Sequence, residues 1–423
     1  MENKRLKVVH LIATNEGGAY RAAKRINWAL NNIGVDSKIL ILFKRKEEPN
    51  INSFYKSNMQ IFFHKIIYMA SVSKLKKYNI IGNIYESKIG VNILKNKLMK
   101  SADIINIHWV NDGMLSYNGI KRLGEKTGKR IVWTLHDMYA FTAGCYYSNG
   151  CDEYKRGCTH CHYIENNNQA QTYITSLFRK KKDALKENVS FVGCSNWISG
   201  CANESIISKN CLVETIPNPI DLKIFYPRRD FSRVYQRYMI PMGKKIILFG
   251  AMSAFSDKRK GYGYLLKALE FVENKKEYHI IVFGGKNDFL LPVNMEYTNI
   301  GVINNDDDLA MIYSAADVFI APSIQENLSN TVMESLACGT PVVAFNIGGM
   351  PDLIEHQKNG YLARLYDSED LAEGIQFCSK NKKDLSSICL KLVNERFNYK
   401  IIGEKYLKHY KKKVKKINEE GVK

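Results

Sequence analysis

The stretch from Glu326 to Val343 reads ENLSNTVMESLACGTPVV, and it contains two carboxylates placed around a predicted turn into a helix. The residues just before it, Asp317–Ala321 (DVFIA), predict a short buried strand. A helix that begins near Leu328 presents backbone amides and the positive end of its dipole, which suit a phosphate. Glu334 lies about one and a half turns further on, where a carboxylate could bind a ribose. The pattern therefore predicts a strand, a phosphate-binding turn and a helix.

Two motifs follow this stretch and make its meaning more specific. Residues 337–344 read ACGTPVVA, and residues 348–352 read GGMPD. Together with Glu326 and Glu334 they resemble the E-x7-E signature of retaining glycosyltransferases of family 4. The resemblance extends over nearly the whole chain and is most specific between residues 250 and 352. Taken singly, each glutamate could also be an ordinary solvated or dipole-favoured helix residue.

The resemblance implies a role for each residue of the motif. Glu326 is expected to contact the hydroxyls of a donor sugar and to belong to the catalytic residues, and Glu334 is expected to bind the ribose. The diphosphate is expected to lie against the residues at the start of the helix, which are Asn327, Leu328 and Ser329.

Alternating strand and helix signals predict an α/β protein. A chain of 423 residues exceeds what one core usually holds, so two domains are expected, with the junction at the proline-rich residues 217–221. We predict residues 1–217 as an acceptor-binding domain and residues 218–397 as a nucleotide-sugar-binding domain. Residues 398–423 are predicted to form a basic helix, and the resemblance implies that this helix packs back on the first domain. The resemblance implies the GT-B fold, in which two doubly wound, Rossmann-like domains face each other across a cleft.

The charge of the chain indicates an anionic partner. The formal net charge is +20 and the isoelectric point is about 9.3. Nucleic acid, an acidic membrane surface and phosphorylated small molecules would all satisfy this charge. The cations are dispersed and no helix-turn-helix or stacking-aromatic pattern is present, which argues against nucleic acid.

The sequence also bears on location. Residues 1–7 lead into a short apolar run, Val8–Ala13, that has strand length, and no apolar window reaches the roughly 20 residues of a membrane span. These features predict a cytoplasmic protein. Residues 59–78 are apolar with a basic end, which is typical either of a helix in the interface of an anionic membrane or of a core helix. Peripheral contact with the inner face of the cytoplasmic membrane is the expectation.

Three cations, Lys258 to Lys260, precede a predicted helix in the second domain. Fixed cations stabilise the negative charge of a departing diphosphate without a metal, so Arg259 and Lys260 are predicted to bind the donor. The family usually has Gly-Arg directly after the preceding strand, whereas this chain has Ala251-Met252, so Arg259 is the expected substitute. The alternative is a solvated basic loop.

Two sets of residues at strand ends of the first domain complete the predicted site. His136 and Asp137 follow the strand signal RIVWTL, where the family often has a histidine facing the donor sugar. We predict that His136 positions the reacting carbon and count Asp137 with it as catalytic. Gly17 and Gly18 follow the first strand and are predicted to approach the donor, although glycines there also serve a simple tight turn.

The first domain carries a cysteine-rich insertion over residues 145–162. Cys145, Cys151, Cys158 and Cys161 could bind a structural zinc ion, form two labile disulfides, or pack as reduced thiols. The number of ligands fits zinc, but the spacing lacks the paired C-x2-C knuckles of common zinc sites. Similar loops occur in a bacterial surface-polysaccharide subgroup of the family.

Together with these observations, the resemblance implies a retaining hexosyltransferase that needs no catalytic cofactor. Its donor would be a UDP- or GDP-sugar, and its acceptor a saccharide or polyprenyl-linked saccharide in capsule, exopolysaccharide or O-antigen biosynthesis. A sugar-nucleotide epimerase of the same fold is the nearest alternative. A basic nucleic-acid-binding protein is the more distant one.

Overall fold

The computed structural model describes residues 5–49, 51–80, 84–164, 167–185, 189–250, 257–284 and 294–412. The chain divides into two compact units. The first unit contains the chain up to Asn218 together with the chain from Ile402 onward, and the second unit runs from Pro219 to Ile401. The predicted boundary between residues 217 and 218 lies next to this division.

The first unit alternates strands with helices along the chain. Its elements are β1 (Lys7–Ile12), α1 (Gly17–Asn32), β2 (Asp36–Ile41), β3 (Asn52–Ser53), α2 (Asn58–Ser71), α3 (Ser73–Lys77), α4 (Lys97–Ser101), β4 (Ile104–Ile107), α5 (Tyr117–Thr127), β5 (Arg130–Leu135), α6 (Asn168–Ala184), β6 (Val189–Gly193), α7 (Asn196–Glu204) and β7 (Leu212–Thr215).

The strands of the first unit form one parallel sheet in the order β3-β2-β1-β4-β5-β6-β7. The central strands are buried on both faces, which explains their nearly continuous apolar sequences, such as VVHLI in β1. Because all strands are parallel, their carboxyl ends lie along one edge of the sheet. Polar residues that directly follow β4 and β5 are therefore placed close together.

The second unit repeats this pattern. Its elements are α8 (Ser232–Tyr238), β8 (Lys245–Gly250), α9 (Tyr262–Phe271), β9 (Tyr278–Phe283), β10 (Tyr297–Asn299), α10 (Asp306–Ala315), β11 (Val318–Ala321), α11 (Asn330–Ala337), β12 (Val342–Phe345), α12 (Met350–Leu353), β13 (Gly360–Ala363), α13 (Ser368–Lys380) and α14 (Lys382–Phe397). Its strands form a parallel sheet in the order β10-β9-β8-β11-β12-β13.

The C-terminal helix α15 (Tyr399–Lys411) packs against the sheet of the first unit. Tyr406 and Tyr410 are buried in the same apolar cluster as Val8. The amide of Asn106 in β4 donates a hydrogen bond to the Tyr410 hydroxyl at 2.8 Å. The last described helix of the chain is therefore part of the first unit's core.

The predicted fold class is confirmed, since both units are α/β with a parallel, Rossmann-like sheet. The sequence left open whether the apolar segment at residues 59–78 contains a core helix. Most apolar side chains of α2 are exposed, so α2 is not a core helix. Within the described part of the chain, no helix is long and apolar enough to cross a bilayer.

Candidate functional site

The loop between β11 and α11 is fixed by very close backbone contacts. A Cβ atom on Gly261 would lie 1.7 Å from the carbonyl oxygen of Pro322, and one on Gly348 would lie 1.9 Å from that of Glu326. Both glycines also have positive φ angles, +71° and +52°, which other residues rarely adopt. The loop is thus clamped between the chain before α9 and the chain after β12, and no larger side chain fits at either clamp.

Glu326 and Lys260 form an ion pair at this clamped loop. The Lys260 Nζ atom lies 2.6 Å from Glu326 Oε2, and both side chains are largely buried. The Asn327 backbone N–H donates to Glu326 Oε1 at 3.2 Å. Burial by itself would raise the pKa of Glu326, but the Lys260 charge and these hydrogen bonds outweigh it and hold the pKa below its usual value. Glu326 is therefore an ionised acceptor with a fixed orientation.

Arg259 lies beside this pair and is engaged differently. Its guanidinium donates to Asp257 Oδ2 at 2.6 Å and to the Gln325 carbonyl oxygen at 3.3 Å. The Arg259 carbonyl oxygen in turn accepts the Ile324 N–H at 2.8 Å. The two predicted cations therefore lie against the β11–α11 loop, while Lys258 of the same 3-10 turn is exposed. Residues 251–256, which include the predicted Ala251-Met252 replacement, lie outside the described residues.

The start of α11 lies where the sequence predicts it. Ser329 is the N-cap residue, and its hydroxyl accepts the Val332 N–H at 3.4 Å. Asn327, Leu328 and Ser329 are all buried, with less than a tenth of each residue exposed. The positive end of the α11 dipole therefore lies at Ser329, three residues after Glu326 in the chain.

Glu334 faces the interior of the second unit. It has no exposed surface, and the Tyr313 hydroxyl of α10 lies 3.4 Å from its Oε2 atom. A ribose could reach this carboxylate only after the surrounding residues moved. Tyr313 is a contact that the sequence did not reveal.

Three histidines form a hydrogen-bonded chain across neighbouring strands of the first unit. His10 lies in β1, His108 follows β4, and His136 follows β5. His10 Nδ1 lies 2.8 Å from His108 Nε2, and His108 Nδ1 lies 2.8 Å from His136 Nε2. At the far end, His10 Nε2 lies 3.0 Å from the hydroxyl of Ser37. We call Ser37, His10, His108 and His136 the histidine chain.

The histidine chain is uncharged. Burial lowers the pKa of His10 to about 3 and that of His136 to about 4, and burial with the neighbouring imidazoles puts the pKa of His108 well below its usual value. A neutral imidazole donates one hydrogen bond and accepts one, so the directions of all bonds in the chain are set together. The tautomer of the half-buried His136 is therefore coupled to the buried Ser37. The sequence analysis did not predict a role for His10. The feature that could have indicated one is a histidine within an otherwise apolar strand.

The other predicted residues of the first unit have simpler surroundings. Asp137 Oδ1 accepts the Tyr139 N–H at 2.8 Å at the start of a 3-10 turn. Gly17 begins α1 with a φ of +87°, and a Cβ there would meet no atom within 4 Å. Gly17 thus leaves open space at the start of α1, and Gly18 beside it is exposed, whereas Asp137 has a structural contact of its own.

The four cysteines of the insertion lie around one small cavity of about 20 Å³. All are free thiols, and burial raises the pKa of Cys158 to about 12. Lys181 of α6 is fully buried nearby and donates to the Thr142 carbonyl oxygen at 2.9 Å. Among the residues that the structure describes, no group of three or more potential ligands is arranged to hold a metal ion. The geometry as it stands is that of packed thiols, and zinc remains a prediction.

Part of the chain matches a known family, and nearly the whole chain resembles solved structures. Residues 243–381 match the family model "Glycosyl transferases group 1". HepE of Anabaena, solved in complex with UDP-glucose, superposes over 96% of this chain and 99% of its own with a TM-score of 0.61 at 15% identity. The likeness shows that the chain has the GT-B fold. The family match lies within the second unit and supports the predicted enzyme class, a glycosyltransferase.

Two curated relatives add detail. Spore coat protein SA of Bacillus subtilis is 27% identical over 52% of this chain and 64% of its own length. The N,N'-diacetylbacillosaminyl-diphospho-undecaprenol alpha-1,3-N-acetylgalactosaminyltransferase of Campylobacter jejuni is 22% identical over 50% of this chain and 56% of its own. Each match spans less than two thirds of the relative.

Proposed function

We propose that this protein is a retaining glycosyltransferase of family 4 that transfers a hexose from a nucleoside-diphosphate sugar to a saccharide acceptor. The process it serves would be the synthesis of a surface polysaccharide, such as capsule, exopolysaccharide or O-antigen. The observation that carries the proposal is the Lys260–Glu326 pair on the clamped loop before α11, within the region that matches the glycosyltransferase family.

The second unit would bind the donor. Lys260 and Arg259 supply positive charge, and the start of α11 supplies backbone amides at Leu328 and Ser329, with Asn327 beside them. Both features stabilise the charge that a departing diphosphate gains, and neither requires a metal. Glu326 is ionised and oriented, so it suits hydrogen bonds from sugar hydroxyls. Glu334 would bind the ribose after a local movement that exposes it.

The first unit would supply neutral hydrogen-bonding groups. His136 is uncharged near neutral pH, and its ring can donate to or accept from a sugar hydroxyl according to its tautomer. Asp137 accepts a hydrogen bond from the turn that follows His136. The open space at Gly17, with Gly18 exposed beside it, suits the approach of a ligand to the α1 N-terminus. These roles rest on the family resemblance and on the position of the residues at strand ends.

The reaction would proceed on one face of the sugar. The acceptor oxygen attacks the anomeric carbon while the bond from that carbon to the diphosphate oxygen breaks. The acceptor proton passes to the departing diphosphate, so no enzyme base is needed. Because attack occurs on the face that the diphosphate vacates, the anomeric configuration is retained.

The acceptor is proposed to be a polyprenyl-linked or growing saccharide. The Campylobacter relative is named for a substrate on a diphospho-undecaprenol carrier, and the net charge of +20 suits an anionic membrane. We accordingly propose that the protein works peripherally at the inner face of the cytoplasmic membrane.

Ligand-induced stabilisation tests the donor site. The melting temperature should rise with one of UDP, GDP, ADP or CMP, or with a sugar conjugate of it, and the rise should survive EDTA. The sugar conjugate that binds is then supplied with acceptor, and the anomeric configuration of the product is determined by NMR. Absence of any stabilisation would contradict the donor site, and an inverted product would contradict the retaining mechanism.

The same assay separates the nearest alternative. A sugar-nucleotide epimerase would convert the donor in the absence of any acceptor, whereas a transferase requires one. Conversion without acceptor, with release of the free epimer, would replace our proposal with that function.

A further inference from the structure

Helix α2 turns its apolar side chains toward solvent. A soluble protein normally buries such a stripe against its core, and a contiguous exposed one marks an interaction surface. The exposed fractions lie between 47% and 68%. The residues follow one another at helical spacing: Met59, Phe62, Phe63, Ile66, Ile67 and Met69. We call these six residues the α2 apolar face.

The outward orientation of this face is held by contacts on the opposite side of the helix. His64 is buried, its Nδ1 atom lies 3.1 Å from the Tyr55 hydroxyl, and its Nε2 atom lies 2.7 Å from the Asp112 carbonyl oxygen. Ile61 and Tyr68 pack against the core of the first unit. A capping box formed by Ser57 and Gln60 fixes the start of the helix. Rotation of α2 to bury its apolar face would break the contacts of His64, Ile61 and Tyr68 with the first unit.

Along the chain, the charged residues next to the α2 apolar face have a single sign. The segment from Tyr55 to Ile80, which includes α2 and α3, contains five lysines and no aspartate or glutamate. They are Lys56, Lys65, Lys74, Lys76 and Lys77. An exposed apolar face beside lysines is the pattern of a helix that lies in the interface of an anionic bilayer, where each nearby lysine adds about 1 kcal/mol.

We propose that α2 and α3 dock the first unit on an anionic lipid bilayer, with the α2 apolar face in the interfacial region and the lysines at the headgroups. This inference rests on the proposed function, since it gives the enzyme access to a lipid-linked acceptor. The helix Asn58–Ser71 is too short to span a bilayer, so it lies along the surface. A symmetric dimer through the same face would bring the lysines of both copies together, which their charge opposes.

Vesicle flotation with the full-length protein tests the docking surface. Wild type should bind vesicles of phosphatidylglycerol and phosphatidylcholine and bind pure phosphatidylcholine vesicles far less. The double variant Phe63→Ser/Ile66→Ser should lower the partition coefficient by about tenfold or more, because two side chains no longer enter the bilayer. The double variant Met239→Ser/Met242→Ser is the matched control, since these second-unit side chains are 87% and 82% exposed. It should bind like wild type.

A charge variant separates the two contributions. Lys76→Gln/Lys77→Gln should weaken binding to the anionic vesicles by about tenfold at low salt and leave weak binding to neutral vesicles unchanged. Equal vesicle binding by wild type and Phe63→Ser/Ile66→Ser would overturn the proposal. So would a wild-type dimer that this variant converts to monomer without any vesicle binding.

Two separate measurements distinguish a failure of the docking proposal from a failure of the proposed transferase function. All variants are also tested for stabilisation by the nucleoside diphosphate that stabilises wild type. Loss of vesicle binding with unchanged nucleotide stabilisation supports the docking surface. Nucleotide stabilisation without any vesicle binding by wild type refutes the docking surface and leaves the proposed transferase intact.

Discussion

The two units share one architecture, yet the second unit presents charged side chains at its candidate site and the first unit presents a chain of neutral histidines. In the second unit the groups are charged: Lys260 and Glu326 form an ion pair at 2.6 Å, and Arg259 pairs with Asp257. In the first unit the groups of the histidine chain are neutral, because burial lowers the pKa of His10 to about 3 and that of His136 to about 4. The fold therefore places residues at strand ends, whereas burial and hydrogen-bonding partners decide what those residues can do.

This difference matches the two halves of the proposed reaction. A leaving diphosphate requires charge, and fixed cations supply it without reorganisation. A sugar ring requires hydrogen bonds of defined direction, and neutral imidazoles supply those. Each experiment below tests one side of the contrast.

The largest effect is expected on the charged side. Lys260→Ala should lower kcat/KM by about 10²-fold or more, because the diphosphate loses a fixed cation and Glu326 loses the partner that orients it. Steady-state kinetics with the stabilising nucleotide sugar measure this. Lys258→Ala in the same turn is the matched control, since Lys258 is exposed. Equal rates for the two variants would remove Lys260 from the site.

On the neutral side, His136→Ala should lower kcat by about tenfold to a hundredfold through lost positioning. The pH profile is the sharper test. The pKa of His136 is about 4, against an ordinary value of 6.5, so the ring stays neutral at pH values well above 4. We therefore expect kcat/KM to show no inflection from His136 near pH 6.5. An inflection there in wild type that disappears in the variant would show that His136 titrates, and the contrast between the units would fail.

The neutrality of the histidine chain also predicts acid sensitivity. His10 has a pKa of about 3 in the folded protein and an ordinary pKa of 6.5. Between these two pH values the unfolded chain binds a proton at His10 and the folded chain does not. The free energy of unfolding should therefore fall as pH drops below about 6.5, by roughly 1.4 kcal/mol per pH unit for His10. Between about pH 7 and about pH 5, wild type should lose roughly 2 kcal/mol more than His10→Gln.

Urea unfolding at the two pH values measures this difference. The control is His160→Gln, because the His160 side chain is 88% exposed. If His10→Gln and His160→Gln lose the same stability as wild type on acidification, His10 is charged in the folded protein.

The smallest effect is expected at the cysteine insertion. No described group of side chains is arranged to hold a metal, and the four thiols line a cavity of about 20 Å³, so EDTA should leave the melting temperature unchanged. A fall in melting temperature that added zinc reverses would establish the predicted structural zinc. Cys161→Ser would then abolish the EDTA effect, and Cys211→Ser, outside the insertion, would not.

Much of the fold was predictable from the sequence, because parallel strands buried on both faces leave long apolar runs that local pattern reveals. The strand DVFIA, the helix start at Ser329 and the strand that precedes His136 all lie where the pattern places them. The residue types at strand ends were equally visible. The cation Lys260 and the acid Glu326 could both be named, although nothing local showed that they touch.

Other features depend on contacts between distant residues and could not be predicted. The glycines at 261 and 348 are needed because the backbones of Pro322 and Glu326 pass too close for a side chain, which no local pattern records. The burial of Glu334 against Tyr313 is of the same kind. The sequence could not predict whether the apolar side of α2 faces the core or solvent, because the same residue pattern is expected in both cases.

By itself, the sequence determined the alternation of strand and helix and the chemistry available at the strand ends, because both are local properties of residue type and spacing. The tertiary structure alone decided which of those groups are charged. A pKa depends on how much water and which partners surround a group, so the same fold holds Glu326 ionised beside Lys260 and keeps His136 neutral at the end of a buried chain of imidazoles.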